Sequence, residues 1–114
     1  MNLYLVSRRR AWQSEEELAA SSDCAPSVLA TFGGDIRWVR SYVFVEEDGS
    51  FSADCVYEAT SIERLEAYAD AMMLPADEIR RVHVSAEASD AAREGAPGRV
   101  RDEARERAAR VVRP

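Results

Sequence analysis

Two strand-like runs separated by one short turn constrain this fold more than any other feature of the chain. Ile36 to Val45 is rich in Val, Tyr, Trp and Phe, and Phe51 to Ala59 returns with a related pattern. Such residues suit the pleated surface of a sheet. Glu47-Asp48-Gly49-Ser50 lies between them, and Asp-Gly is a strong hairpin signal because both residues tolerate positive φ. A helix signature flanks the hairpin on each side. Ser14-Glu15-Glu16-Glu17 and Thr60-Ser61-Ile62-Glu63 are capping boxes, in which a hydroxyl satisfies a free N–H and a glutamate reaches back. The acids of the first box also suit the positive end of a helix dipole. The first helix continues through Leu18, Val28 and Leu29 to a stop at Gly33-Gly34, with Pro26 expected to kink or split it. The second runs through Leu65, Ala69 and Met72 and is closed by Pro75. Leu3 to Arg9 and Ile79 to Ala86 complete the pattern as outer strands. The order strand, helix, strand, strand, helix, strand is the split βαβ, or ferredoxin-like, α+β plan: an antiparallel four-stranded sheet with two helices on one face.

Charge divides the chain. Its net value is −6 over 114 residues, and every basic residue is Arg because the chain has no Lys. Residues 1–87 hold 8 Arg and 16 acids, whereas residues 88–114 hold 7 Arg and 5 acids. The first segment is expected to be the α+β domain. The second follows the breaker Gly95-Ala96-Pro97-Gly98 and is expected to be a charged tail. It is either disordered or a helix over Arg99 to Arg113 ordered by a partner subunit, with Glu103–Arg107 and Glu106–Arg110 at helical spacing. Opposite signs favour a salt-sensitive docking of that tail on the acidic domain.

Composition excludes several functions. No apolar run approaches the roughly 20 residues of a membrane span, and the basic cluster Arg8-Arg9-Arg10 follows the first apolar stretch rather than preceding it, unlike a secretory signal. A cytoplasmic location with reduced thiols is expected, since Cys24 and Cys55 form no CxxC motif. An acidic domain attracts no nucleic acid, and without Lys there is no Schiff-base or Walker-type chemistry.

A two-residue Asp48-Gly49 turn would set Tyr42 opposite Cys55 and Arg40 opposite Tyr57. Period two then puts Trp38, Arg40, Tyr42 and Phe44 on one face with Ala53, Cys55, Tyr57 and Ala59. An Arg among aromatics either stacks and pairs structurally or holds the anionic or carbonyl group of a ligand. The other groups have plainer readings. Cys24 is read as a small buried hydrophobe, Met72-Met73-Leu74 as helix packing, and Arg8-Arg9-Arg10 as a charged strand end.

Trp38-Val39-Arg40-Ser41-Tyr42-Val43, Cys55-Val56-Tyr57-Glu58-Ala59 and Leu74-Pro75-Ala76-Asp77-Glu78-Ile79-Arg80-Arg81-Val82 together resemble a small bacterial family of unknown function. Its best-known member type is a nickel-binding protein of ferredoxin-like fold. The resemblance implies a homodimer paired through its sheet, of the dimeric α+β barrel kind, and a metal. Cys55 matches the family's Cys, but Arg40 stands where the family tends to place His, and no His lies near Tyr68 in the second helix. Arg in place of a ligand puts a permanent cation where a metal would sit. No cofactor is therefore expected. Cys55 with the chain's one His, His83, contributed from two subunits, is the remaining arrangement for a metal such as nickel. Two functional classes follow. One is a small-molecule binding protein using Trp38, Arg40, Tyr42, Cys55, Tyr57 and Tyr68. The other is a cofactor-free enzyme (a cyclase, isomerase or monooxygenase) with Arg40 stabilising an oxyanion and Tyr42 or Tyr57 donating a proton.

Overall fold

The structure, a computed structural model, describes residues 1–83 and Val111–Val112. Its elements are β1 (Asn2–Trp12), α1 (Glu15–Ala30), β2 (Ile36–Val45), β3 (Phe51–Ala59), α2 (Ile62–Met72), β4 (Glu78–Val82) and the two-residue β5 (Val111–Val112). The strands form an antiparallel sheet in the order β4-β1-β3-β2-β5. Its first four strands and the two helices are the ferredoxin-like arrangement. The tail expectation for residues 88–114 falls outside the described residues apart from β5. There the backbone of Val111–Val112 pairs with Ser41 and Tyr42 of β2; neither of the two tail expectations, disorder or a partner-packed helix, is tested by it. The expected last strand reached Ala86, and residues 84–86 also lie outside the described part.

Helix α1 begins where the capping box put it, and α2 begins one residue later than its box, with Ser61 rather than Thr60 as the cap. Ser14 Oγ accepts from the Glu17 N–H, and the Glu17 carboxylate accepts from the Gln13 N–H. Ser61 Oγ accepts from the Arg64 N–H. Pro26 sits inside α1 without ending it. The two helices hold the sheet differently. α2 buries Leu65, Tyr68 and Ala69 on one stripe, with Met72 packed beside them, the spacing of an amphipathic helix. α1 buries only Ala25 fully, and the helix is rich in Ala and Ser.

The hairpin departs from the two-residue turn. Gly49 N–H donates to the Glu46 carbonyl at 3.0 Å and Glu46 N–H to the Ser50 carbonyl at 2.8 Å. The loop is therefore Glu47-Asp48-Gly49, three residues, with Gly49 at φ 85° in the left-handed position that such loops need. Asp48 holds it, accepting from the Ser50 N–H and hydroxyl at 3.0 and 2.5 Å. Those two bonds, the largest influence, and Arg10 alongside lower the Asp48 pKa below its usual value.

One extra loop residue slips the register by one. Ser41 now faces Cys55, Tyr42 faces Asp54 and Arg40 faces Val56. A bulge at Val39, between Trp38 and Arg40, then returns Trp38 to a position opposite Tyr57. A bulge adds one residue to one strand and so reverses the facing of everything beyond it. The helix-covered face therefore carries Ile36, Trp38, Ser41 and Val43 from β2 with Ala53, Cys55, Tyr57 and Ala59 from β3. The open face carries Arg37, Arg40, Tyr42 and Phe44 with Glu58, Val56, Asp54 and Ser52. The expectation that Arg40 and Tyr42 share the Cys55–Tyr57 face is corrected accordingly.

Candidate functional site

β1 lies between β4 and β3, and its inward residues Tyr4, Val6 and Arg8 are all buried. Val6 is opposite Cys55 and Tyr4 opposite Tyr57. Arg8 follows in the same phase and is 2 % exposed, the largest of the fully buried side chains. Its Nη1 donates to the Pro75 carbonyl at 2.6 Å and its Nη2 to the Tyr57 hydroxyl at 3.2 Å. The guanidinium carbon stands 5.9 Å from the Tyr57 ring centroid. Nε has no partner, and neither has the buried indole Nε1 of Trp12.

Among the described residues no carboxylate pairs with Arg8. This is unusual, because buried charges are normally paired. Burial works against the cation, but Tyr57 and Cys55 favour it more strongly, and its pKa is raised. Tyr57 is its complement. Burial first, then Cys55, pushes its phenol well above the usual value, with Arg8 opposing. Tyr68 is pushed up to about 12, chiefly by burial. Both phenols are thus held protonated at neutral pH. Their rings meet edge-on at 5.7 Å, and Phe32 meets Tyr68 in the same way at 5.9 Å.

These side chains surround a cavity between the helices and the sheet, with a volume of about 30 Å³. Arg8, Trp12, Trp38, Cys55, Tyr57 and Tyr68 form its chemically distinctive walls, and Ser21, Ser22 and Ala25 of α1 close it. Small α1 residues explain why a void remains there. A cavity of that size holds a water or two, or one small inorganic ion.

Of the residues singled out from sequence, Trp38, Cys55, Tyr57 and Tyr68 come together at this cavity. Arg40 and Tyr42 do not. They lie on the open face, with Arg40 Nη1 3.5 Å from the Tyr42 hydroxyl. The cation among the aromatics is Arg8, which sequence reasoning left in a charged strand end. The alternation Tyr4, Val6, Arg8 was the signal that could have found it. His83 is exposed, just past the Leu3–Val82 pair that ends the β4 ladder. It is four residues along from Ile79, the β4 residue level with Val6 and Cys55, or about 13 Å at strand rise. Cys24 is exposed rather than buried. Met73 is 90 % exposed, so only its neighbours Met72 and Leu74 pack on the core as expected.

A divalent metal fits this cavity poorly. Nickel takes several imidazole or thiolate donors, whereas Cys55 is the one thiol here and a guanidinium lies beside it. Among the described residues no cluster of three or more His, Cys, Asp or Glu could hold a metal ion. Nor is any described helix long and apolar enough to cross a membrane.

The family model described as "Nickel responsive protein SCO4226-like" matches residues 4–82, well over half of the chain and nearly all of the described domain. A search of curated proteins found no match.

Proposed function

From the premise that the chain belongs to the SCO4226-like family of nickel-responsive proteins, we propose that this member is a small binding protein whose interior cavity takes an anion rather than a metal. The observation that carries this reading is Arg8: a fully buried guanidinium with no carboxylate among the described residues and an unpartnered Nε beside a cavity. An anion against Arg8 supplies the missing charge, and the Trp12 indole N–H and the phenols of Tyr57 and Tyr68 supply neutral donors. The volume of about 30 Å³ limits the ligand to the size of a halide or a comparably small oxyanion. No carboxylate or imidazole lines the cavity among the described residues, which leaves the alternative of a cofactor-free enzyme without a general base.

A homodimer belongs to the same proposal. Leu3, Leu5 and Val56 are half-buried at the centre of the open sheet face, and Phe44 is 48 % exposed at its edge. A second copy is the natural cover for such a face.

The test is thermal unfolding of the tag-free protein in chloride, nitrite or formate, each against sulfate at matched ionic strength, with nickel sulfate as a separate arm. Stabilisation is expected from a small monovalent anion and not from nickel, and it should vanish in Arg8→Met. Stoichiometric nickel binding by the purified protein, or no anion effect on the wild type, overturns the reading.

A further inference from the structure

Three sulfur side chains line one surface groove at the seam between the two helices. Cys24 projects from α1 and Met72 is the last residue of α2, and the Cys24 Sγ and Met72 Sδ atoms are 3.8 Å apart. Met73, the C-cap of α2, lines the same surface groove of about 290 Å³, together with Trp12 and Glu17. The Cys24 thiol also donates to the Ser21 carbonyl at 3.4 Å, an ordinary intrahelical contact, whereas Met73 has no packing reason to be there. The thiol is exposed, and Met73 is the most exposed large hydrophobic residue among those described. Met73 also adopts the left-handed conformation, φ 57°, a position where helices commonly end on Gly.

We propose that Cys24, Met72 and Met73 form a binding site for a soft monovalent cation, Cu(I). Thiolate and thioether donors select that ion over nickel and other borderline divalent metals, which prefer imidazole. Metal–thiolate bonds are about 2.3 Å long. At tetrahedral to trigonal angles, two sulfurs on one metal then lie about 3.8 to 4.0 Å apart, so the Cys24–Met72 pair already has the required separation. Met73 adds a third donor with three rotatable bonds and no packing to lose. One thiolate offsets one monovalent cation, the Glu17 carboxylate adds a negative charge to the groove, and no cationic side chain lines it. On binding, the Cys24 thiol gives its proton to solvent and a Cu–S bond forms. Copper enters already reduced, so the protein undergoes no redox change. The groove shares Trp12, Ser21, Met72 and Leu74 with the Arg8 cavity, but the sulfur donors do not include Arg8 and the copper proposal does not depend on the anion reading.

The experiment is an anaerobic titration of the full chain with Cu(I) against a chromophoric Cu(I) chelator, repeated with Ag(I) as a redox-inert probe. One equivalent is expected to bind. Bound metal should protect Cys24 from alkylation as read by peptide mass spectrometry, and Cys55, being buried, serves as the internal control. Loss of a donor in Cys24→Ser, Met72→Leu or Met73→Leu should weaken binding by at least the roughly 10- to 100-fold seen when mere outer-shell partners are removed. Met73→Leu, at an exposed position, tests the site without risk to folding. Wild-type affinity in Cys24→Ser, or an affinity untouched by both methionine changes, overturns the proposal, as does failure of the wild type to compete for Cu(I).

Discussion

Replacing Arg8 by methionine should leave the anion-free protein at least as stable as the wild type, although it removes the largest fully buried side chain. Three effects set the balance. The variant forfeits two hydrogen bonds from a charged group, to the Pro75 carbonyl and the Tyr57 hydroxyl, each worth about 1.5 to 3 kcal/mol. It escapes the several kcal/mol needed to keep an ion out of water and the roughly 1 to 3 kcal/mol of the unpartnered Nε. It also buries a methionine, worth about 1.5 to 3 kcal/mol. The losses come to about 3 to 6 kcal/mol and the gains are at least as large, so the net change should lie between zero and a few kcal/mol of stabilisation, in line with replacements of buried ions by apolar residues of like size. Urea unfolding followed by the fluorescence of Trp12 and Trp38 measures it. Addition of a bound anion at 100 times its dissociation constant should then stabilise the wild type by about 2.7 kcal/mol and the variant not at all. A loss of 3 to 5 kcal/mol without anion, the cost of orphaning one member of a buried pair, would refute the reasoning, because it would mean that Arg8 already has a full partner.

Other outcomes are equally specific. Gly49→Ala should cost about 1 kcal/mol, since φ is 85° there although the added Cβ meets nothing within 4 Å; urea midpoints measure it. Ser61→Ala removes the N-cap of α2 and should likewise cost about 1 kcal/mol, seen as a shifted midpoint with an unchanged slope. The hydrogen bond from Arg37, the largest influence, lowers the Glu58 pKa below the ordinary glutamate value. A lowered folded-state value gives stability that is present above the unfolded pKa and lost as pH falls through the folded one. The wild type should therefore lose more stability than Arg37→Gln on acidification below about pH 4.5, and identical acid profiles would contradict the pairing. Phe44→Glu should convert a dimer to a monomer in light scattering, and an unchanged mass would move the interface off the open sheet face.

Most of the architecture is legible in the residues because it rests on local chemistry. Ser14 and Ser61 cap the two helices because a hydroxyl one residue before a helix satisfies a backbone donor that nothing else reaches. The hairpin strands fall at Ile36–Val45 and Phe51–Ala59 because their β-branched and aromatic content stops at Asp48-Gly49. Pro26 misleads, since it interrupts the expected pattern of α1 without ending the helix. Cys24 misleads for another reason. Thiols are usually buried, but α1 places its small residues toward the sheet and leaves Cys24 at the seam.

The site was only half legible, and two single-residue irregularities explain which half. A third loop residue turns Arg40, Tyr42 and Phe44 outward, and the bulge at Val39 keeps Trp38 inward. The aromatic wall thus survives a one-residue error in the turn, because β3 fixes Cys55 and Tyr57 and the bulge returns Trp38 to them. The cation does not survive it. The contrast between the two arginines follows from strand position. Among the described residues β2 borders β3 and a two-residue strand, and its register sets Arg40 on the open side of the sheet. β1 is central and its inward face lies under both helices, so any residue in phase with Tyr4 and Val6 is committed to the interior whatever its charge. Arg8 occupies that phase. A cation on such a strand cannot turn to solvent without breaking a ladder on both sides. Its charge must therefore be met inside the protein, and that requirement is what motivates the proposal of an anion in the small cavity beside it.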